Sequence, residues 1–324
     1  MAVGALRTLT GEDLKKVDQE ITHSARSSVG LIPELAGHLA AAGGKRVRPM
    51  LTLAAARACG YCGEDHVKLA AAVELIHGAT LLHDDVVDGS LLRRGLKTAN
   101  VIWGNKESVL VGDFIFSRAF ELMVAARNLK VLQILSAASG VIAEGEVLQL
   151  ATQNNLSVTF DTYLAVIESK TAALFAAATH AGAAIAEAPA GVELAFKHYG
   201  RELGIAYQLI DDALDYSGFE ASLGKRTGDD FREGKMTLPI VYALERADAE
   251  ERKFWKRTIS DGVQRSEDFE EACAILARTN ALGDSIACAR RYARRAIDEL
   301  SAAPDNEFTQ ALVWLAETSV QRVS

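Results

Sequence analysis

Little in this sequence interrupts a helix: only 5 prolines occur in 324 residues, and aromatic residues, which favour strands, make up 6%. Alternating apolar and polar runs of any length are missing, while helical periodicity runs almost everywhere. Of the 4 cysteines, Cys59 and Cys62 form the one C-x-x-C, with no second pair at zinc-finger spacing; these read as reduced thiols of a cytoplasmic protein. Neither a Walker loop nor a dinucleotide-binding glycine fingerprint is present, which removes those routes to nucleotide binding. Positive charge is scarce. Lys+Arg 35 against Asp+Glu 43 gives a formal net charge of -8, so nucleic acid is not an expected partner, and an anionic ligand needs a local cationic site or a metal. The N-terminal stretch has no apolar core fit for a signal peptide, and the alanine-rich stretch after Lys170 is broken by His180 and Glu187. The expectation is a soluble, cytoplasmic protein.

What is abundant is apolar residues at helical spacing, 49% of the chain being hydrophobic. Leu14, Val17, Ile21 and Ser24 trace one face of a first helix. A break at Pro33, a helix, and a stop at Gly43 and Gly44 precede a basic cluster ending at Pro49. Further helices fit Met50 to Cys59, His66 to Asp88, Glu107 to Ala126, Lys130 to Leu150, Phe160 to His180 and Val192 to Tyr216, with breaks around Gly218 to Gly234 and at Pro304. No linker or charge shift marks a boundary, so residues 1–324 read as one all-α domain.

One motif occurs twice: LLHDDVVD at 81–88 returns as QLIDDALD at 208–215. On a helix, residues i and i+4 share a face, so Asp84 with Asp88, and Asp211 with Asp215, each present two carboxylates together. Like charges at that spacing repel, and a cation is needed to offset them. Oxygen ligands that leave coordination positions free suit Mg²⁺ shared with substrate phosphates. Cationic residues accompany the acids: Lys45, Arg46 and Arg48 after the glycine turn, Arg93 and Arg94 after the first array, and Lys170, Lys225 and Lys235 further on. Carboxylates for a metal together with arginines and lysines for phosphate oxygens indicate a substrate carrying a diphosphate. Taken alone, each cluster also reads as a solvated helix end or loop.

These segments resemble the trans-isoprenyl diphosphate synthases, or polyprenyl synthetases. GGKRVRP (43–49), LLHDDVVDGSLLRRG (81–95), GDFIFSRAF (112–120), KTAALF (170–175), YQLIDDALDY (207–216) and GKRTGDDFREGKMTLP (224–239) are similar to successive family motifs in family order. The resemblance implies an isoprenoid-synthase-type helical bundle around a central cavity, normally a homodimer. It implies that Asp84, Asp85, Asp88, Asp211, Asp212 and Asp215 hold Mg²⁺, three ions when the allylic diphosphate is bound. By the same carry-over Arg93, Lys170, Lys225 and Lys235 meet that diphosphate. Lys45, Arg48, His77 and Arg94 bind isopentenyl diphosphate, and Thr171 and Gln208 stand near the reacting carbons. Gly89 and Tyr207 depart from common family residues, and Asp229 or Asp230 either helps a metal or pairs with Lys225. His83 has no match and reads as structural.

The implied reaction adds isopentenyl diphosphate head-to-tail to farnesyl or geranylgeranyl diphosphate. Short-chain relatives carry an aromatic four or five residues before the first aspartate; here these positions are Thr80 and Ala79, with Ile76, Val73 and Ala72 deeper, and no Phe, Tyr or Trp occurs from His66 to His83. One helical turn of about 5.4 Å is close to one isoprene unit, so this wall leaves room for a long chain. The expectation is an octaprenyl to decaprenyl product of the quinone side-chain type, with transient membrane contact as it leaves. Phe114, Phe116 or Phe120 could still form a floor, so a shorter product is the second expectation. The same residues also admit a terpene cyclase, a metal-dependent phosphohydrolase or a non-catalytic synthase subunit; both aspartate arrays being intact speaks against the last.

Overall fold

Alanine-rich, proline-poor segments lose little on entering a helix, and helix forms through most of the described chain. The computed structural model describes residues 3–217 and 228–321; Lys225, expected at the diphosphate, lies outside the described residues. In chain order the helices are α1 (Gly4–Leu9), α2 (Gly11–Ser24), α3 (Leu31–Ala41), α4 (Val47–Ala58) and α5 (Asp65–Val87). A hairpin of β1 (Leu92–Arg93) and β2 (Leu96–Lys97) follows, then α6 (Ala99–Trp103), α7 (Asn105–Ala125), α8 (Leu129–Thr152) and α9 (Phe160–Ile167). After a π-helical turn, Glu168–Ala172, come α10 (Ala173–Ile185), α11 (Ala190–Leu214), α12 (Asp229–Arg232), α13 (Leu238–Arg246), α14 (Ala249–Trp255), α15 (Asp268–Arg278), α16 (Ala281–Glu299) and α17 (Glu307–Ser319).

The expected helices are found within a few residues of their expected ends. The expected break at Pro33 does not occur: Pro33, like Pro49 at the start of α4, sits in the first turn of its helix, where a missing N–H has no intrahelical partner to lose. Phe160 to His180 is not one helix, because the π-turn interrupts it.

The chain divides into two compact units. One takes Met1–Gly140, Leu174–Gly200 and Ile297–Leu315. Within it α5 packs against α2, α4 and α7, burying Ala70, Ala71, Ala72, Val73, Ile76 and Ala79. The other takes Val141–Ala173, Arg201–Ala296 and Ala316–Ser324, and its core gathers Tyr163, Leu209, Ile210, Phe231, Leu238 and Trp255. In this unit Gly145 on α8 meets the π-turn so closely that a Cβ there would stand 2.7 Å from the Lys170 backbone nitrogen. Only glycine permits that approach.

Among the described residues one helix, α8, is long and apolar enough to cross a membrane by length and composition, with a mean hydropathy of 1.4 over a window that is 33% buried. The alanine-rich stretch after Lys170 does not meet that standard.

Candidate active site

In the first unit the aspartate array ends α5. Asp88 caps the helix, its N–H donating to the Asp84 carbonyl at 2.8 Å, and Asp84 and Asp88 both keep accessible surface. Asp85 lies between them on the inner side and is 2% exposed. Its carboxylate takes a forked contact from Arg93, Nη2 donating to Oδ1 at 2.8 Å and Nε to Oδ2 at 3.2 Å. The hairpin aims Arg93: Leu92 pairs with Lys97 and Arg93 with Leu96, across a two-residue turn in which Arg94 has φ 52° and Gly95 φ 81°. Both angles are positive, as a type I′ hairpin turn requires, and Gly95 supplies one without strain. Thr98 Oγ1 donates to the Ser90 carbonyl at 2.6 Å, and Asn100 Nδ2 to that of Asp85 at 3.1 Å, tying the hairpin's base to the helix end.

Also on α5, one to two turns before Asp84, His77 is held well below the ordinary histidine value by burial and by repulsion from Arg48, Arg93, Arg94 and Arg46. A neutral imidazole beside four guanidinium groups marks a place that favours an anion. These groups are not equivalent. Arg46, the N-cap of α4 at φ 52°, is ion-paired with Glu74 at 2.6 Å and Asp18 at 3.2 Å, whereas Arg48 lies over the Phe175 ring, 4.6 Å from its centroid. The charge pattern alone did not separate the structural Arg46 from its neighbours; the resemblance, which assigned Lys45 and Arg48 only, did. Lys45, in the turn before α4, is exposed. His83 faces α7 instead, Nε2 lying 3.2 Å from the Val109 carbonyl oxygen and against Gly112, where a Cβ would collide with the ring. That is a packing role.

In the second unit the array near the end of α11 is sorted in a similar way. Asp211 is exposed, while Asp212 and Asp215 are 4% and 9% exposed. Asp215 holds the next segment: Oδ1 accepts from the Gly228 N–H at 3.0 Å and the Asp229 N–H at 3.3 Å, and Oδ2 from the Asp230 N–H at 3.0 Å. Asp212 accepts from Tyr163 Oη at 2.6 Å and Gln208 Nε2 at 2.7 Å, and Gln208 Oε1 accepts from Thr171 Oγ1 at 2.8 Å. Burial pushes Asp212 up to about 6, and repulsion from Asp211 and Asp215 outweighs part of what those hydrogen bonds recover. Burial, with Asp212 and Asp215 beside it, drives Asp230 well above the usual carboxylate range. A cavity of about 120 Å³ opens onto Tyr163, Lys170, Thr171, Gln208, Asp212 and Lys235. Its lysines are poised by acids: Lys170 Nζ lies 2.6 Å from Glu146 Oε2 and Lys235 Nζ 2.6 Å from Glu233 Oε2.

The donor set fits Mg²⁺. It is oxygen-only, and Asp84, Asp88 and Asp211 keep accessible surface where water and phosphate oxygens could complete a cation's shell. Among the described residues no three His, Cys, Asp or Glu stand together as a cage; Mg²⁺ is commonly held by one or two carboxylates with waters and substrate oxygens completing its shell.

Sequence reasoning overlooked Tyr163 and Glu146. The first had a signal, since on the continuous helix expected over Phe160 to His180 Tyr163 would precede Lys170 by two turns on one face; the second had none. Of the expected chain-length positions, Ala79 and Ile76 have no accessible surface, whereas Thr80 keeps some and donates its hydroxyl to the His77 carbonyl at 2.9 Å.

Comparison with known proteins places these sites in context. The family model described as polyprenyl synthetase matches residues 30–276. The chain is 44% identical over 322 residues to the octaprenyl diphosphate synthase of Escherichia coli, covering 99% of each chain. A polyprenyl synthase from Caulobacter crescentus, solved with calcium and isoprenyl diphosphate, is 50% identical with a TM-score of 0.96, over 99% of this chain and 98% of that one. A decaprenyl diphosphate synthase from Rhodobacter capsulatus is 51% identical with a TM-score of 0.95, over 98% of both chains.

Proposed function

The chain belongs to the polyprenyl synthetase family and is an all-α trans-prenyltransferase of the long-chain kind; from that premise we propose how its residues divide the work. Asp84, Asp88 and Asp211 hold the Mg²⁺ that binds an allylic diphosphate, three ions in all when that substrate is bound. Asp85, Asp212 and Asp215, which the resemblance also makes metal ligands, are buried and orient what surrounds them. When bound, the metal neutralises charge building on the departing diphosphate.

The chain's own groups do the rest. Arg93, Lys170, Lys225 and Lys235 bind and orient the allylic diphosphate, so negative charge that develops as its C–O bond breaks meets fixed cations. Lys45, Arg48, Arg94 and the neutral His77 hold the diphosphate of isopentenyl diphosphate; its double bond attacks the allylic carbon and a proton is then lost. Thr171 and Gln208 turn oxygen atoms toward the carbon that becomes cationic, and Val158, Val166, Ile167 and Met236 in the cavity lining help exclude the water that would quench it. The two units together act as one polyprenyl synthetase domain, 1–324.

The observation that carries this reading is the pairing, in one chain, of aspartates with accessible surface at helix ends and of Arg48 and Arg94 beside a neutral histidine. These are an acidic, metal-dependent site for one diphosphate and a basic site for another. We further read the enzyme as a cytoplasmic homodimer, in which a second copy covers the exposed Leu110 on α7 and Val147 on α8. Glu144 and Glu146 make α8 a costly transmembrane segment. The product is an octaprenyl to decaprenyl diphosphate made from farnesyl or geranylgeranyl diphosphate for a quinone side chain, and membrane contact is limited to its release.

The test is incubation of the purified chain with Mg²⁺, farnesyl diphosphate and labelled isopentenyl diphosphate, followed by separation of products by length. A ladder ending in one long all-trans species is expected. Arrest after one addition would overturn the long-chain reading, and absence of Mg²⁺-dependent extension would overturn the synthase.

A further inference from the structure

Three hydrogen bonds in the second unit form a directed chain. Tyr163 on α9 donates to Asp212 on α11; Gln208, one turn before Asp212, donates its amide N–H to the other carboxylate oxygen; and Thr171 on the π-turn donates to the Gln208 amide oxygen. A glutamine amide has the same shape whichever end points which way, so its orientation is set by what it meets. Asp212 accepts only, and it therefore takes the NH₂ end and leaves the oxygen for Thr171.

That choice has a consequence at the cavity. A threonine hydroxyl has one hydrogen and two lone pairs. With its hydrogen committed to Gln208, Thr171 can offer the cavity lone pairs alone, which favour a neighbouring positive carbon. Capture of that carbon by Thr171 would require the hydroxyl proton to leave, and the amide oxygen holding it is too weak a base to take it. If the amide turned over, the Thr171 hydrogen would be released toward the cavity and a partial positive charge would face the cation.

What keeps Asp212 from turning is Tyr163. An aspartate carboxylate rotates in a broad well about its last torsion, and Gln208 anchors one oxygen only. Tyr163 is 3% exposed in the unit's core, so its ring is fixed by packing and its hydroxyl pins the second oxygen.

We propose that Tyr163 is a positioning residue for the prenyl-transfer step: through Asp212 it fixes the Gln208 amide, and through that amide it turns the lone pairs of Thr171 toward the reacting carbon. This rests on the reading of Thr171 and Gln208 given above and extends it to a residue that touches neither diphosphate.

The test is a double-mutant cycle of Tyr163→Phe and Thr171→Val in the full chain. The readouts are kcat, KM for each diphosphate, the Mg²⁺ concentration for half-activity and the thermal melting temperature. Tyr163→Phe is expected to lower kcat on the order of tenfold, with both KM values and the Mg²⁺ requirement within about twofold of wild type and the protein still folded at the assay temperature, its melting lowered by the loss of one buried hydrogen bond. The double variant is expected to be no slower than Thr171→Val alone, because both changes act through one oxygen. Losses that multiply, an unaltered kcat in Tyr163→Phe, or a loss confined to Mg²⁺ affinity would each overturn the proposal. Should Tyr163→Phe fail to fold, the same cycle with Asp212→Asn applies, and multiplying losses there would overturn it equally. Wild-type extension with variants that disagree removes only this inference; no extension by wild type removes the prenyl-transfer reading and this one with it.

Discussion

Within five residues of α5 one side-chain type does two jobs. Asp84 and Asp88 keep accessible surface, while Asp85 is buried against Arg93; near the end of α11, Asp211 is exposed and Asp215 holds three backbone amides. The chemical formula of these aspartates is identical, so replacing them separates the roles. Asp84→Ala is expected to raise the Mg²⁺ needed for activity and cut turnover at least a hundredfold, roughly the cost of losing a transition-state contact, with an unchanged melting temperature. Asp215→Ala is expected to lower the melting temperature first, since each buried N–H left without an acceptor costs about 1–3 kcal/mol. Titrating Mg²⁺ and recording melts on both variants checks the pair; equal melts for the two would contradict the division.

At the scale of elements, local chemistry decides where helices yield. The Arg94-Gly95 turn reverses the chain so that Arg93 returns to Asp85, and the π-turn at Glu168–Ala172 brings Lys170 and Thr171 to the cavity. Apart from these, α2 is tied to α5 by an ionic group whose titration is predictable. His66 Nε2 lies 2.9 Å from Asp13 Oδ2, which also takes Arg57 Nη2 at 2.8 Å. Burial lowers His66 despite Asp13, and keeps it neutral when folded; burial tends to raise Asp13, but His66 and Arg57 outweigh that and leave it low. As pH falls below about 6.5, the unfolded His66 takes a proton that the folded one resists, so stability declines through that window. Asp13 adds a second loss as pH falls below about 4 and on through its lowered folded value. Thermal melts from about pH 7.5 to about pH 5.5 should therefore fall for wild type and fall less steeply for His66→Gln. Parallel slopes would show that His66 carries none of the effect.

For the whole molecule, product length joins packing to output. Ala79 and Ile76 are sealed in the packing of α5, whereas Thr80 retains accessible surface. Thr80→Phe is expected to shorten the product by several units with little loss of stability, while Ala79→Phe overpacks a filled core at about 1–3 kcal/mol and lowers the melting temperature. Chain-length analysis with melts on both variants decides which residue borders the growing tail; an unchanged product in Thr80→Phe would move the limit to other residues. Most of this protein was legible in its residues: the helices, because apolar spacing and scarce proline permit little else, and the two aspartate arrays, because repeated like charges after apolar runs call for a cation. The π-turn, the Tyr163 hydroxyl's bond to Asp212 and the ion pairs of Arg46 with Glu74 and Asp18 were not, since each depends on residues far apart in sequence meeting at close range. Sequence by itself determined the fold class, the family and the kinds of ligand, because periodicity and charge are local properties. Tertiary structure alone decided which of these aspartates keep accessible surface and which are buried, because burial exists only once the chain is packed.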